Sequence, residues 1–198
     1  MNHKWKLGFL GLVAGILSFL AVRYLSGSGN IENLYSFFDY FYFPGHIFGA
    51  ATAFYFLIFS RRDWTFWYKV PGWILTSSIA YYVAVQVELR TMDMFSQSGG
   101  GWSFLSWLNQ RDLAPPPPSM ILAGCVGTFI LLIGFYFFWS SVTWRQWYAL
   151  VFLGGLLALG FFVPALIIKP YFTLLIFWQT GITFGFGYIL DQKNKISV

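Results

Sequence analysis

Six separate stretches of about twenty mostly apolar residues constrain this chain more than any other feature. A bilayer core about 30 Å thick is crossed by about 20 such residues in helical form. The stretches run Leu7–Leu25, Tyr42–Ser60, Val70–Leu89, Ser119–Ser140, Trp147–Ile168 and Tyr171–Leu190. Segments this apolar must close their backbone hydrogen bonds internally, which selects helices. No ten-residue alternation supports a transmembrane barrel. The expected fold is therefore all-α: one polytopic integral membrane domain of six transmembrane helices.

Composition excludes the soluble alternatives. Of 198 residues, 58% are hydrophobic, 23% aromatic and only 10% charged. A soluble domain carries about 25% charged residues, and disorder requires the opposite balance. The net charge of +5 does not mark a nucleic-acid partner, because the basic residues are scattered at the ends of apolar runs. Lys4 and Lys6 before the first stretch resemble a signal-peptide start. The run is long for that role, however, and Arg23 sits where a cleavage site would fall.

Orientation follows from the loop charges. With both termini in the cytoplasm, the inner side holds Lys4, Lys6, Arg61, Arg62, Lys69, Arg145, Lys193 and Lys195. The outer side holds Arg23, Arg90, Arg111 and Lys169. This bias fits the positive-inside rule. Trp64, Trp67 and Tyr68, and then Trp144, Trp147 and Tyr148, form aromatic belts at the two inner turns. A prokaryotic cytoplasmic membrane is the simplest address.

Each of the first two outer connections is expected to hold a short interfacial helix. Leu34, Phe37, Phe38 and Phe41 lie at helical spacing before a break near Pro44. Trp102, Leu105 and Leu108 repeat the pattern after the glycine tip at Ser98–Gly101. Pro115–Pro118 are expected to be extended and to lead rigidly into the fourth stretch. The second and fourth stretches end alike, AFYF from Ala53 and GFYF from Gly134, each followed by W-x-x-W-Y. This is either a parallel repeat or two independent belts.

Polar groups at membrane depth are the default functional candidates. Asp39, His46, Gln86, Glu88 and Arg90 form a candidate binding cluster toward the outer side. Gln179 and Thr180, with Thr183, lie near the middle of the sixth stretch. Such side chains either join helices or line a substrate path. Gly11-x-x-x-Gly15 and Gly181-x-x-x-Gly185 offer flat faces to a second copy or another subunit.

Several chemistries lack their residues. A haem held by two membrane histidines needs more than His46. The sequence has no H-E-x-x-H or P-loop motif. A lone Cys125 in an apolar run offers no disulfide or metal pair. No metal site, catalytic residue or particular cofactor is assigned. The leading expectation is a non-catalytic membrane protein that contacts lipid. It either binds an apolar or amphipathic molecule or serves as a helical subunit of a larger assembly. A small transporter, or the substrate-capture subunit of one, ranks second. A lipid-modifying enzyme using His46 and Glu88 as acid and base ranks third.

Overall fold

The computed structural model describes residues 2–26, 34–59, 66–97, 117–159 and 170–196. Six helices occupy them: α1 His3–Ser26, α2 Leu34–Phe59, α3 Phe66–Gln97, α4 Pro117–Phe138, α5 Trp144–Ala158 and α6 Pro170–Ile196. Three spans are long and apolar enough to cross a membrane: His3–Ala21, Trp67–Thr91 and Pro118–Phe138. A shorter apolar helix covers Pro44–Ile58 within α2. Among the described residues the architecture is thus a helical bundle with three segments long and apolar enough to cross a membrane.

Helix ends differ from the expected ones for identifiable reasons. The separate helix expected before Pro44 is not separate: α2 starts at Leu34 and runs unbroken through Pro44 to Phe59. Proline removes one N–H, but membrane helices tolerate it where neighbouring elements adjust. α3 likewise continues past Leu89 to Gln97, because no breaker precedes Ser98–Gly101. Pro117 and Pro118 belong to the first turn of α4 and are not extended. At that position a helix has no use for the missing N–H. α5 starts at Trp144 because a capping box fixes it there: the Gln146 amide donates to Thr143 Oγ1 at 3.4 Å, and the Thr143 amide donates to Gln146 Oε1 at 2.9 Å. The expected helix at Trp102–Asn109 lies outside the described residues.

Neighbours in sequence are neighbours in space, and α6 returns to pack on α1, so the six helices close into a ring. Contacts between helices fix the directions. Gly49 of α2 meets Ile74 of α3, while Gly45 meets Ser78. Gly134 of α4 meets Thr76, and Gly127 meets Ala84. Leu157 of α5 meets Gly181 of α6, and Leu150 meets Gly185. Each pair is antiparallel, so the starts of α1, α3 and α5 share one end of the bundle, here called the base.

The α1–α6 seam is the tightest. At Gly11 and Gly15 α6 passes so close that no Cβ fits, the nearest groups being the Thr183 hydroxyl and then the Gln179 carbonyl at Gly11, and the Ile176 backbone at Gly15. Gly187 faces the Lys4 backbone in the same way. Gly181 and Gly185 face α5. The two glycine faces read as flat surfaces for a partner are therefore used within the chain. At the base, Asp191 of α6 accepts hydrogen bonds from the His3 amide at 2.9 Å and the Lys4 amide at 3.2 Å. A carboxylate there satisfies two orphan donors and the positive end of the α1 dipole. His3 therefore belongs to the first turn of α1 rather than to a free tail, and its Nδ1 lies 2.6 Å from Tyr55 Oη.

The basal half is filled by aromatic rings. Trp73, Phe135 and Phe186 are fully buried, and Phe56 nearly so. Phe135 and Phe186 stack with centroids 4.5 Å apart, and Phe56 stacks on Trp139 at 4.4 Å. Trp73 Nε1 donates to Thr52 Oγ1 at 2.7 Å, so its one polar atom is satisfied. The repeated F-Y-F letters do not occupy matching places. Phe54 is exposed while its counterpart Phe135 is buried; Tyr55 and Phe56 are buried while Tyr136 and Phe137 are exposed. The two motifs present opposite helix faces.

Candidate functional site

Above the aromatic layer the interior changes character. Trp178 of α6 reaches across the bundle, its ring centroid 6.2 Å from that of Phe48 in α2. Its Cζ2 edge lies beside Gly127 of α4, whose other close neighbours are the Ala84 methyl and the Ala80 carbonyl of α3. An added Cβ at 127 would stand 3.4 Å from Trp178, an ordinary contact, and a tighter 3.1 Å from the Ala84 methyl.

Four buried polar atoms without a hydrogen-bond partner lie within two positions of that contact. They are Trp178 Nε1, Gln179 Oε1, Thr180 Oγ1 and Thr128 Oγ1. Among the described residues, the only others are Trp139 Nε1 and Ser140 Oγ, near the base. An unpaired buried polar group costs about 1–3 kcal/mol; the four share a depth but not a seam, since Thr128 Oγ1 lies against Gly154 of α5 and the Gln179 amide faces α1. Gln179 is fully buried, and its Nε2 donates to Ser18 Oγ of α1 at 3.1 Å. This bond joins α1 to α6, while the Gln179 carbonyl oxygen is left over.

Access to this layer differs from access to the base. Trp73, Ser77, Ser78 and Ala80 of α3 are buried. From Tyr81 to Glu88 every residue of α3 is only half-buried, including positions on the inward face. The bundle is thus sealed at its basal half and more open along α3 in the other.

The candidates read from sequence distribute as follows. Gln179 and Thr180 belong to the unpartnered layer. Gln86 and Glu88 are half-buried on α3, and Arg90 is exposed. His46 is exposed on α2 next to Gly45, which packs against the turn of α3 from Ser78 to Tyr81. Glu88 lies seven residues beyond Tyr81, about 10 Å further along the helix. The register therefore does not bring His46 and Glu88 together as an acid–base pair. Asp39 lies in the helical backbone of α2, and its side chain is outside the described residues. Trp178 and Thr128 were not singled out from sequence. The usable signal was depth: Trp178 sits mid-helix, away from the belts where tryptophan is ordinarily placed.

No protein-family model, curated protein or solved structure matches this chain. Among the described residues, no group of three or more His, Cys, Asp or Glu could hold a metal ion.

Proposed function

We propose that this chain is a multi-pass membrane protein of six crossings, with its basal end in the cytoplasm, that binds an amphipathic molecule in the half remote from the base. The observation that carries the reading is the layer of unpartnered buried polar atoms around Trp178 and Gln179, lying above a closed aromatic floor. A molecule with a hydrogen-bonding head and an apolar body suits such a layer, since pockets of this kind combine apolar walls with a few polar groups.

The membrane orientation has its own support. Trp5, Trp67, Tyr68, Trp144 and Tyr148 are all strongly exposed, and the antiparallel order gathers them at the base. Lys4, Lys6, Lys69, Arg145 and Lys193 belong to the same end. A ring of exposed Trp and Tyr with an excess of Lys and Arg is what a cytoplasmic interface selects.

Extraction into polymer discs followed by native mass spectrometry tests the binding reading. The wild-type chain is expected to retain an amphiphile, and Gln179→Leu to retain less at equal folded yield. A wild-type chain that carries no such species, and takes up none when lipids are titrated in, overturns it.

A further inference from the structure

The amphiphile-binding reading leaves open what head group the site accepts, and α3 supplies a further observation. Glu88 lies one helical turn beyond Ala84, and so on the same face of α3. That face meets Gly127, and Gly127 meets the Trp178 indole. Nε1 is two bonds from the Cζ2 atom that touches Gly127, so the N–H edge opens on the α3–α4 side of the interior. Trp178 is 8% exposed, and this N–H has no partner. Glu88 therefore stands above a buried, unused donor, on a stretch of helix that is only half-buried.

Among the described residues, no counter-charge meets the carboxyl group of Glu88. The described basic residues Lys4, Lys6, Lys69, Arg145 and Lys193 all lie at the base, the opposite end of the bundle. Arg90 is exposed and two residues away, about 200° around the helix. α4, which packs against this part of α3, contributes no charged side chain. An acid within an apolar span is costly unless a cation or a hydrogen-bonding group meets it. Below it, the Trp178 N–H requires an acceptor. Both requirements are met by one head group that carries an amine and, a few bonds away, a hydroxyl oxygen.

Resting on the amphiphile-binding reading, we infer that Glu88 and Trp178 form a recognition site for the amino-alcohol head of a long-chain amphiphile. The ammonium group pairs with the Glu88 carboxylate, and the hydroxyl oxygen accepts from Trp178 Nε1. The alkyl chain leaves along the half-buried flank of α3 toward the lipid. Phe56, Trp73, Phe135 and Phe186 close the floor, so the ligand enters from the end remote from the base.

The test uses the full chain in phosphatidylcholine nanodiscs and three probes of equal chain length: sphingosine, octadecylamine and octadecanol. Sphingosine is expected to bind about tenfold or more tightly than octadecanol, the scale of one charge-assisted hydrogen bond. Glu88→Gln, which keeps the side-chain shape, removes that difference. Trp178→Phe weakens sphingosine and leaves octadecylamine unchanged, because only sphingosine presents the hydroxyl. Arg90→Gln changes none of the three. Melting curves in the same discs confirm that each variant is folded. If octadecanol binds wild type as well as sphingosine does, or Glu88→Gln preserves the preference, the amine assignment is wrong while amphiphile binding stands. If none of the three probes binds, both readings fall.

Discussion

Alanine at Gly11 and alanine at Gly8 have opposite consequences, although both glycines lie on α1 against α6. Each substitution gains helix propensity, about 1 kcal/mol. At Gly8 the new methyl meets the Phe184 ring edge, with Cδ2 3.3 Å away. A ring edge moves by a few tenths of an ångström at little cost. At Gly11 the methyl would run into the Thr183 hydroxyl, and it would lie 2.6 Å from the Gln179 carbonyl oxygen and 3.0 Å from its carbonyl carbon. The Gln179 atoms belong to the α6 backbone, and the Thr183 hydroxyl is tied to it by donating to the Gln179 carbonyl at 2.7 Å, so the two helices must part. Overpacking of this kind costs about 1–3 kcal/mol, and it stretches the 3.1 Å bond from Gln179 to Ser18. Gly8→Ala is therefore expected to be neutral or stabilising, while Gly11→Ala offsets its propensity gain or exceeds it. The gap between them is about 1–3 kcal/mol, or about 2–12 °C in melting temperature for a chain of this size. Thermal unfolding in nanodiscs, followed by tryptophan fluorescence, measures it. Equal melting temperatures for the two variants would refute the backbone-contact argument.

Removing the carboxylate that holds the start of α1, Asp191→Ala, should cost about 1–2 kcal/mol; hydrogen exchange should speed up at the His3 and Lys4 amides, and unchanged protection there would count against the cap. Trp73→Phe leaves Thr52 without its donor and opens a small void, so a loss of about 1–3 kcal/mol is expected in the same melting assay. In a Cys125→Ala background, single cysteines at Asn2 and Lys193 should both react with an impermeant maleimide in inside-out vesicles and neither in right-side-out cells. Reaction from opposite sides would overturn the six-crossing orientation.

The number and order of the helices were legible because apolar runs of bilayer length leave few alternatives. Their ends were less so. A hydropathy window registers the apolar part of α3 and stops at Leu89, whereas the backbone stays helical through Arg90–Gln97 until glycines intervene. Ring closure was not legible. It depends on groups 188 residues apart, and Asp191 reads in sequence as an ordinary charge on a polar tail. The candidate site was half visible. Gln179 stands out as an amide amid apolar neighbours. Trp178 does not, because an aromatic that follows an apolar run reads as core, and only the contact with Gly127 shows which way its N–H edge lies. The distance between His46 and Glu88 was not legible, because it depends on the register of α2 on α3, which no sequence window carries.

The seam between α1 and α6 has a consequence for how the bundle is made. Ribosomes add about 5–20 residues per second, so about 10–40 s separate the emergence of His3 from that of Asp191. Throughout that interval the glycine face of α1 has no helix to seat against, and its first amides lack their acceptor. The opening helix is thus the last to be secured, and a chain stalled anywhere before α6 presents an unlatched first helix to the proteases that police the membrane.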